Sequence, residues 1–181
     1  MATNKSSSRR PRATLHAPWR IEYIRSLKDA GCFLCEAAKI PEGDEQAWRR
    51  GLLLYRDAQV LVVMNRYPYT GGHLLIAPLR HTSDLAGLPE EESAALWNLS
   101  RRCIKVLAEA LQPHGFNVGL NLGRAGGAGL EEHLHLHALP RWVGDTNFLP
   151  ILSGTHSIPI ALAELWDQLR PAFRSQEAKT G

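Results

Sequence analysis

Three histidines within five residues are the feature of this sequence best suited to chemistry. They are His133, His135 and His137, and leucines separate them. Alternation of polar and apolar residues predicts a strand, on which all three imidazoles project from one face. Same-face neighbours on a strand lie about 6.6 Å apart, so the row can span a phosphate group and its flanking oxygens. The alternative is an exposed strand face that carries histidines without a function.

The three positions allow a division of labour. Neutral imidazole is both a nucleophile and a proton carrier near pH 7. His135 could attack phosphorus if its other ring nitrogen donates to a backbone carbonyl, while His133 and His137 hold or protonate phosphoryl oxygens and the leaving group. A glycine-rich segment, residues 123–129, comes just before the histidines and could offer backbone N–H groups to phosphate. A catalytic metal held by the three histidines is a second interpretation.

Two of the three cysteines form a separate motif. Cys32 and Cys35 have the C-x-x-C spacing that supplies half of a tetrahedral zinc site. The alternative is a pair of reduced, buried thiols. Cys103 lies alone in a helical pattern and is predicted to be buried in the core. The low cysteine content and the absence of a secretory leader argue against a disulfide framework.

Composition and charge indicate one ordinary globular domain. The chain has 181 residues, of which 44% are apolar and 22% charged. No apolar run approaches the ~20 residues that a membrane span needs, which favours a cytoplasmic protein. Residues 1–20 contain five basic residues and no acid, so the net charge of +3 leaves −2 for the rest. We therefore expect a disordered basic arm over 1–20, one domain over 21–174, a tail over 175–181, and no nucleic-acid partner.

Hydrophobic periodicity predicts the elements that position these residues. Strands are predicted over 52–55, 60–64, 73–78, 116–122 and 133–139, and helices over 21–30, 90–111 and 158–173. The cysteine motif is predicted to be followed by a polar connector through Pro41, Gly43 and Asp44. The fold class is α+β: an antiparallel sheet of about five strands, one long packed helix, and a helical C-terminal extension from about residue 142.

Three segments together resemble the histidine triad (HIT) superfamily of nucleotidyl hydrolases and transferases. The segment from His133 to His137 carries the H-x-H-x-H signature with apolar spacers. Residues 72–78, Gly-His-Leu-Leu-Ile-Ala-Pro, are similar to the G-H-x-L-[IV]-x-P strand of the family. Asn65 follows Val-Val-Met where the family has an acid or amide that holds the ribose hydroxyls. The match runs from about Cys32 to Arg141 and implies a HIT-like sheet.

The resemblance implies a role for each matching residue. His135 would be the nucleophile that forms a covalent nucleotidyl intermediate, and His137 would bind the α-phosphate and help the leaving group. His73 would support the triad, unless it is merely structural, and Asn65 would bind the ribose. Phe33 and Leu34 fall where the family places apolar residues against the base, although a plain core role is equally consistent with them.

Two positions depart from the family pattern. Leu122 and Gly129 stand where many relatives carry polar side chains that contact phosphate. Asn121 is the adjacent amide, but strand alternation predicts that it faces away from Leu122. The nucleotide site is therefore predicted to use Asn121 and the backbone of Gly129, with Arg124 as a possible replacement donor.

The resemblance also implies the metal, the substrate and the assembly. His81 and His133 match zinc ligands of some relatives, so Cys32, Cys35, His81 and His133 would hold a structural zinc that pins the N-terminal segment. No organic cofactor is expected. Residues 140–148 resemble a bacterial branch that includes diadenosine tetraphosphate phosphorylases, and the family implies a homodimer. Adenine dinucleotides are thus the predicted substrates; phosphoramidate hydrolysis, or a nucleotide-binding module with weak turnover, is the alternative.

Overall fold

The strongest apolar runs of the sequence become three adjacent strands. β1 (Leu53–Arg56), β2 (Val60–Met64) and β3 (Leu74–Pro78) pair antiparallel in a computed structural model that describes residues 31–145 and 161–177. β4 (Gly115–Leu120) and β5 (Leu136–Arg141) complete a five-stranded sheet in the order β1-β2-β3-β5-β4. The predicted α+β fold with an antiparallel sheet is confirmed. The predicted arm and the helix over 21–30 lie outside the described residues.

β5 is inserted between β3 and β4, so the histidine segment enters the interior of the sheet. His137 is paired with Leu75 on one side and with Gly119 on the other. Leu136 and Ala138 project from the opposite face and belong to the hydrophobic core. The alternation of the sequence therefore separates the histidine-bearing face of β5 from its packing face.

The long helix has the predicted bounds. α3 (Glu90–Leu111) packs against β3 and β5 through a buried stripe, and three glutamates in its first turn complement the helix dipole. Two short helices that the sequence did not predict, α1 (Phe33–Lys39) and α2 (Glu45–Arg50), lie on either side of the predicted connector at Pro41, Gly43 and Asp44. Asp44 starts α2 because its carboxylate accepts a hydrogen bond from the backbone N–H of Ala47.

The C-terminal helix is fastened to the edge of the sheet by a buried cation. α4 (Leu162–Glu177) carries Arg170, whose guanidinium donates to the carbonyl of Leu54 and to the carboxylate of Glu45 and lies over the Trp48 ring. The helix continues through Glu177, so the tail predicted from residue 175 begins too early. Its predicted start at 158 lies outside the described residues. Among the described residues, no helix combines the length and apolar character of a membrane span.

The histidine strand begins later than predicted. β5 starts at Leu136, because the segment before it is tied to the connection between β3 and α3. The backbone N–H of Leu134 donates to the carbonyl of Thr82, and the His133 ring donates to the carbonyl of Pro78. Similarly, β3 starts one residue after His73, and β4 ends at Leu120 rather than at 122.

Candidate active site

His135 is held in the tautomer that a nucleophile requires. Its Nδ1 lies 2.8 Å from the carbonyl oxygen of His133. A carbonyl can only accept, so Nδ1 carries the proton and Nε2 keeps a lone pair. Burial lowers the pKa of His135, so the ring is neutral at pH 7. Among the described residues, none forms a hydrogen bond with this Nε2, which therefore remains available for attack.

His137 and His73 form a buried imidazole pair beside the nucleophile. The ring centroids of His135 and His137 are 4.9 Å apart, and Nε2 of His73 lies 2.8 Å from Nδ1 of His137. Burial, together with the nearby His137 and His135, lowers the pKa of His73 to about 3. Burial and the neighbouring His135 likewise lower the pKa of His137 to about 4. Both rings are thus neutral hydrogen-bonding groups at pH 7.

The loop before β3 supplies the partners of His73. The backbone N–H of Tyr69 donates to Nδ1 of His73, at 3.2 Å, and the Asn65 amide lies 3.1 Å from the same nitrogen. The Tyr69 ring covers the pair, with its centroid 4.9 Å from that of His73 and 6.1 Å from that of His137. Tyr69 was not among the predicted site residues, since only its position between Pro68 and His73 could have indicated a contact with the triad. Asn65 was assigned to the ribose alone.

Asn121 places an amide beside the triad, although Leu122 occupies the position where relatives carry a polar side chain. Because β4 ends at Leu120, strand alternation does not turn Asn121 away, and its Nδ2 lies 3.5 Å from Nε2 of His137. Leu122 is 49% exposed instead. Asn121, rather than Leu122, therefore lies beside His137, and its assignment to the nucleotide site stays a prediction.

The glycine-rich segment turns back tightly between Asn121 and the triad. The backbone N–H groups of Gly127 and Ala128 donate to carbonyls of the same segment, at Arg124 and Gly123. A Cβ atom at Gly126 would overlap the carbonyl of Leu122, so this turn needs a glycine there. Gly129 follows in an exposed bend.

The two residues predicted to contact the base differ in burial. Phe33 is 36% exposed and remains available to a ligand, whereas Leu34 is 0% exposed and lies in the hydrophobic core. The core role, which the sequence left open for both, is the one that the structure gives to Leu34. A side chain enclosed by the core has no surface with which to meet a base.

A second cluster brings together the four predicted metal ligands. The ligand atoms of Cys32, Cys35, His81 and His133 all lie within 4.8 Å of one another. Nδ1 of His133 is 3.1 Å from the Cys32 sulfur and 3.5 Å from the Cys35 sulfur, while Nδ1 of His81 is 3.2 Å from the Cys35 sulfur. Cys32 precedes α1 and Cys35 lies in its first turn, so the helical spacing places both sulfurs on one side.

The donor set fits a tetrahedral zinc ion. Zn–S bonds of about 2.3 Å and Zn–N bonds of about 2.1 Å separate neighbouring donors by about 3.3–3.8 Å. Three of the donor pairs are close to this range, at 3.1, 3.2 and 3.5 Å. His133 has the required tautomer, because its Nε2 lies 2.8 Å from the carbonyl oxygen of Pro78 and leaves the lone pair on Nδ1. Burial, reinforced by Cys32, raises the pKa of Cys35 to about 11, so a cation would have to displace its proton.

The triad is consequently divided between two clusters. The ring of His133 lies against His81, at a centroid distance of 5.1 Å, whereas the rings of His135, His137 and His73 lie together. The sequence analysis placed His133 in both groups. In the structure its ring belongs to the cysteine cluster, and only its carbonyl reaches the nucleophile.

Comparisons with known proteins agree with this geometry. A family model described as "HIT domain" matches residues 49–143. An "AP-4-A phosphorylase" of Mycobacterium tuberculosis is 39% identical over 83% of this chain and 78% of that protein. A "bis(5'-adenosyl)-triphosphatase" of Dictyostelium discoideum is 27% identical over 51% of this chain and 62% of that protein. The crystal structure of a Zn-bound histidine triad family protein of Mycobacterium smegmatis has a TM-score of 0.58 and 30% identity, covering 74% of this chain and 94% of that chain.

Proposed function

We propose that this chain, which belongs to the HIT domain family, is an enzyme that cleaves dinucleoside polyphosphates through a covalent intermediate on His135. The observation that carries the proposal is the orientation of His135: its Nδ1 is bonded to the His133 carbonyl and its Nε2 keeps a lone pair beside neutral His137. This arrangement suits attack on phosphorus. The relatives named above support adenine dinucleotides as the substrate class.

The reaction has two displacements. In the first, Nε2 of His135 forms a P–N bond with the α-phosphorus as the P–O bond to the remaining polyphosphate breaks. In the second, an oxygen of phosphate or water attacks the same phosphorus and the P–N bond breaks, so that neutral His135 is regenerated; when water attacks, its proton passes to the solvent. Each displacement inverts the configuration at phosphorus. The Nε2–H of His137 holds a phosphoryl oxygen through both steps.

The remaining predicted residues bind the substrate or hold the site in place. Asn121 and the glycine-rich turn lie beside His137 and would bind the polyphosphate, Asn65 the ribose and Phe33 the base. Open space next to Gly119, which is paired with His137, supports a phosphate position there, because a Cβ at Gly119 would meet no atom within 4 Å.

The cysteine cluster would hold a structural zinc ion. Zinc on Cys32, Cys35, His81 and His133 would cross-link α1 to the β3–α3 connection and to the histidine segment. The ion supplies folding free energy there and no reacting group. We assign no organic cofactor.

We also infer a homodimer built on the outer edge of β4. This strand lies at one end of the sheet, and Val118 in it is 36% exposed. An edge strand that carries an exposed apolar side chain favours pairing with a second copy. Sedimentation should give a dimer, and Val118→Lys should shift it towards the monomer; a monomeric native protein would contradict this inference.

Product analysis tests the reaction. The protein is incubated with diadenosine tetraphosphate, with and without inorganic phosphate. ADP plus ATP formed only with phosphate would identify a phosphorylase, and AMP plus ATP formed without phosphate a hydrolase. No turnover in either incubation would overturn the proposal in favour of phosphoramidate substrates or of a binding module.

A further inference from the structure

The Asn65 side chain has a fixed amide orientation. The backbone N–H of Tyr67 donates to its Oδ1 at 2.9 Å, which identifies that atom as the oxygen. The Nδ2 group therefore faces His73, whose Nδ1 lies 3.1 Å away. Asn65 consequently presents a donor, not an acceptor, to this buried ring.

Two donors converge on one nitrogen of His73. The Asn65 amide and the Tyr69 backbone N–H both point at Nδ1, at 3.1 and 3.2 Å, so this nitrogen must carry the lone pair. The proton of the neutral ring is therefore on Nε2, which donates to Nδ1 of His137 at 2.8 Å. His73 is 1% exposed, so water cannot supply an alternative set of partners.

The chain of donors determines the protonation of His137. Since Nδ1 of His137 accepts from His73, the proton of His137 lies on Nε2. The Asn121 amide, whose Nδ2 lies 3.5 Å from this nitrogen, must then turn its oxygen towards it, because two donors cannot share a hydrogen bond. A neutral imidazole N–H stabilises a phosphoryl oxygen as a hydrogen-bond donor. It is a very poor acid, however, and does not transfer its proton to a departing group.

We propose that Asn65 is a positioning residue that, acting through His73, keeps His137 a neutral Nε2–H donor and so selects leaving groups that depart as anions. This inference rests on the proposed function and deepens it. A polyphosphate leaving group departs with the electron pair of the broken P–O bond and needs no proton, because its terminal oxygens ionise at about pH 6. An amine leaving group needs a proton as the P–N bond breaks. The hydrogen bonds that run from Asn65 through His73 leave His137 neutral, so it cannot donate that proton.

A carboxylate in place of the Asn65 amide reverses the direction of the hydrogen bonds to His73 and His137. In Asn65→Asp the carboxylate accepts a hydrogen bond from Nδ1–H of His73, so that Nε2 of His73 accepts from His137. The added negative charge also stabilises a protonated imidazole within the pair, and His137 can then act as a general acid. We expect this variant to improve cleavage of amine leaving groups relative to polyphosphates.

The experiment combines nitrogen NMR with a leaving-group series. In the ¹⁵N-histidine-labelled free protein, His73 should show an unprotonated Nδ1 and a protonated Nε2, and Asn65→Asp should reverse or average these states. The ratio of kcat/KM for adenosine 5′-phosphoramidate to that for diadenosine tetraphosphate should rise at least tenfold. Asn98→Asp, on the exposed surface of α3, adds the same charge away from the site and should change neither readout.

The outcomes separate this inference from the proposed function. A native His73 protonated on Nδ1 would overturn the inference without any variant. A variant with unchanged nitrogen shifts, and with KM altered equally for both substrates, would also overturn it and leave Asn65 as a ribose ligand only. If diadenosine tetraphosphate is not turned over, the proposed function fails. The NMR result still shows the direction of the hydrogen bonds from Asn65 through His73 to His137.

Discussion

The two outer histidines of the triad lie four residues apart and have opposite surroundings. The Nδ1 of His133 faces two thiols, and its Nε2 donates to a carbonyl. The Nδ1 of His137 lies 2.8 Å from Nε2 of His73, and its own Nε2 lies 3.5 Å from the Asn121 amide. In each ring, the hydrogen-bond partner of one nitrogen determines whether the other nitrogen carries a proton or a lone pair. Identical side chains on one segment are thus suited to the two different roles that we propose, one as a metal ligand and the other as a hydrogen-bond donor.

His135 links the two surroundings. Its Nδ1 is held by the backbone of the residue in the cysteine cluster, and its ring lies against His137. The largest effect should therefore come from His135. His135→Ala removes the nucleophile, and we expect turnover to fall by at least about 10³-fold because no covalent intermediate can form.

His135→Ala also tests whether the cysteine cluster is independent of the nucleophile. His135→Ala should keep the metal content and nearly all of the thermal stability of the native protein, because the His133 ring and the cysteines are untouched. Single-turnover kinetics and metal analysis provide the two readouts. Near-native turnover would exclude the covalent mechanism.

Loss of a proposed cysteine ligand should lower the free energy of unfolding. Cys35→Ala breaks the four-donor set, and we expect the metal to be lost and the free energy of unfolding to fall by about 3 kcal/mol at a free zinc concentration one hundred times Kd. Urea unfolding with and without a chelator provides the measurement. Cys103→Ala is the matched control: Cys103 is fully buried in α3, outside the cluster, and its loss should leave the metal in place. A chelator effect that persists in Cys35→Ala would contradict this assignment.

Acid should destabilise the protein through the imidazole pair. Unfolded histidine binds a proton at about pH 6.5, whereas His73 and His137 in the folded protein do so at about 3 and 4. Between these values the unfolded state binds more protons, so the free energy of unfolding falls as pH falls from about 6.5 towards 4. Each histidine contributes about 1.4 kcal/mol per pH unit.

Replacement of one member of the pair tests this slope. His73→Gln should reduce the pH dependence of unfolding between pH 6 and 4.5 by one proton, even though the variant is less stable throughout. Denaturant titrations at a series of pH values measure it. An unchanged slope would mean that His73 is not buried in the neutral form.

The smallest effect should come from the turn that carries Asn121. Gly126→Ala places a methyl group against the carbonyl of Leu122, which should displace Asn121 from His137 and lower kcat/KM by about tenfold. Gly115→Ala is the matched control, because a Cβ there meets no atom within 4 Å. Metal content should not change in either variant. Equal kinetics for both variants would show that this turn does not position the phosphate site.

Periodicity and motif spacing predicted the elements but not the partners of individual atoms. The apolar runs of β2 and the stripe of α3 gave the observed bounds, because each is a long, uninterrupted pattern. The short helices α1 and α2 were missed since seven and six residues are too few to establish a helical period. The late start of β5 depends on the bond from Leu134 to Thr82, a contact that no local pattern encodes.

The site was predicted to the level of residue type. Spacing identified the histidines and cysteines, whereas the role of each ring depends on tertiary hydrogen bonds. The position of Asn121 could not be predicted, because counting along a strand fails where the strand ends. Leu34 illustrates the same limit, since only packing distinguishes a base contact from a core residue.

The wide separation of the cysteine cluster along the chain has a consequence for synthesis of the protein. Cys32 and His133 lie 101 positions apart, and the reactive His135 follows two residues later. A nascent chain on the ribosome cannot assemble all four donors until the segment that also bears His135 has emerged. Closing so long a loop is slow, so β5 must join the sheet late. The proposed zinc cross-link and the proposed nucleophile are therefore completed together, and chains that end before His133 contain neither.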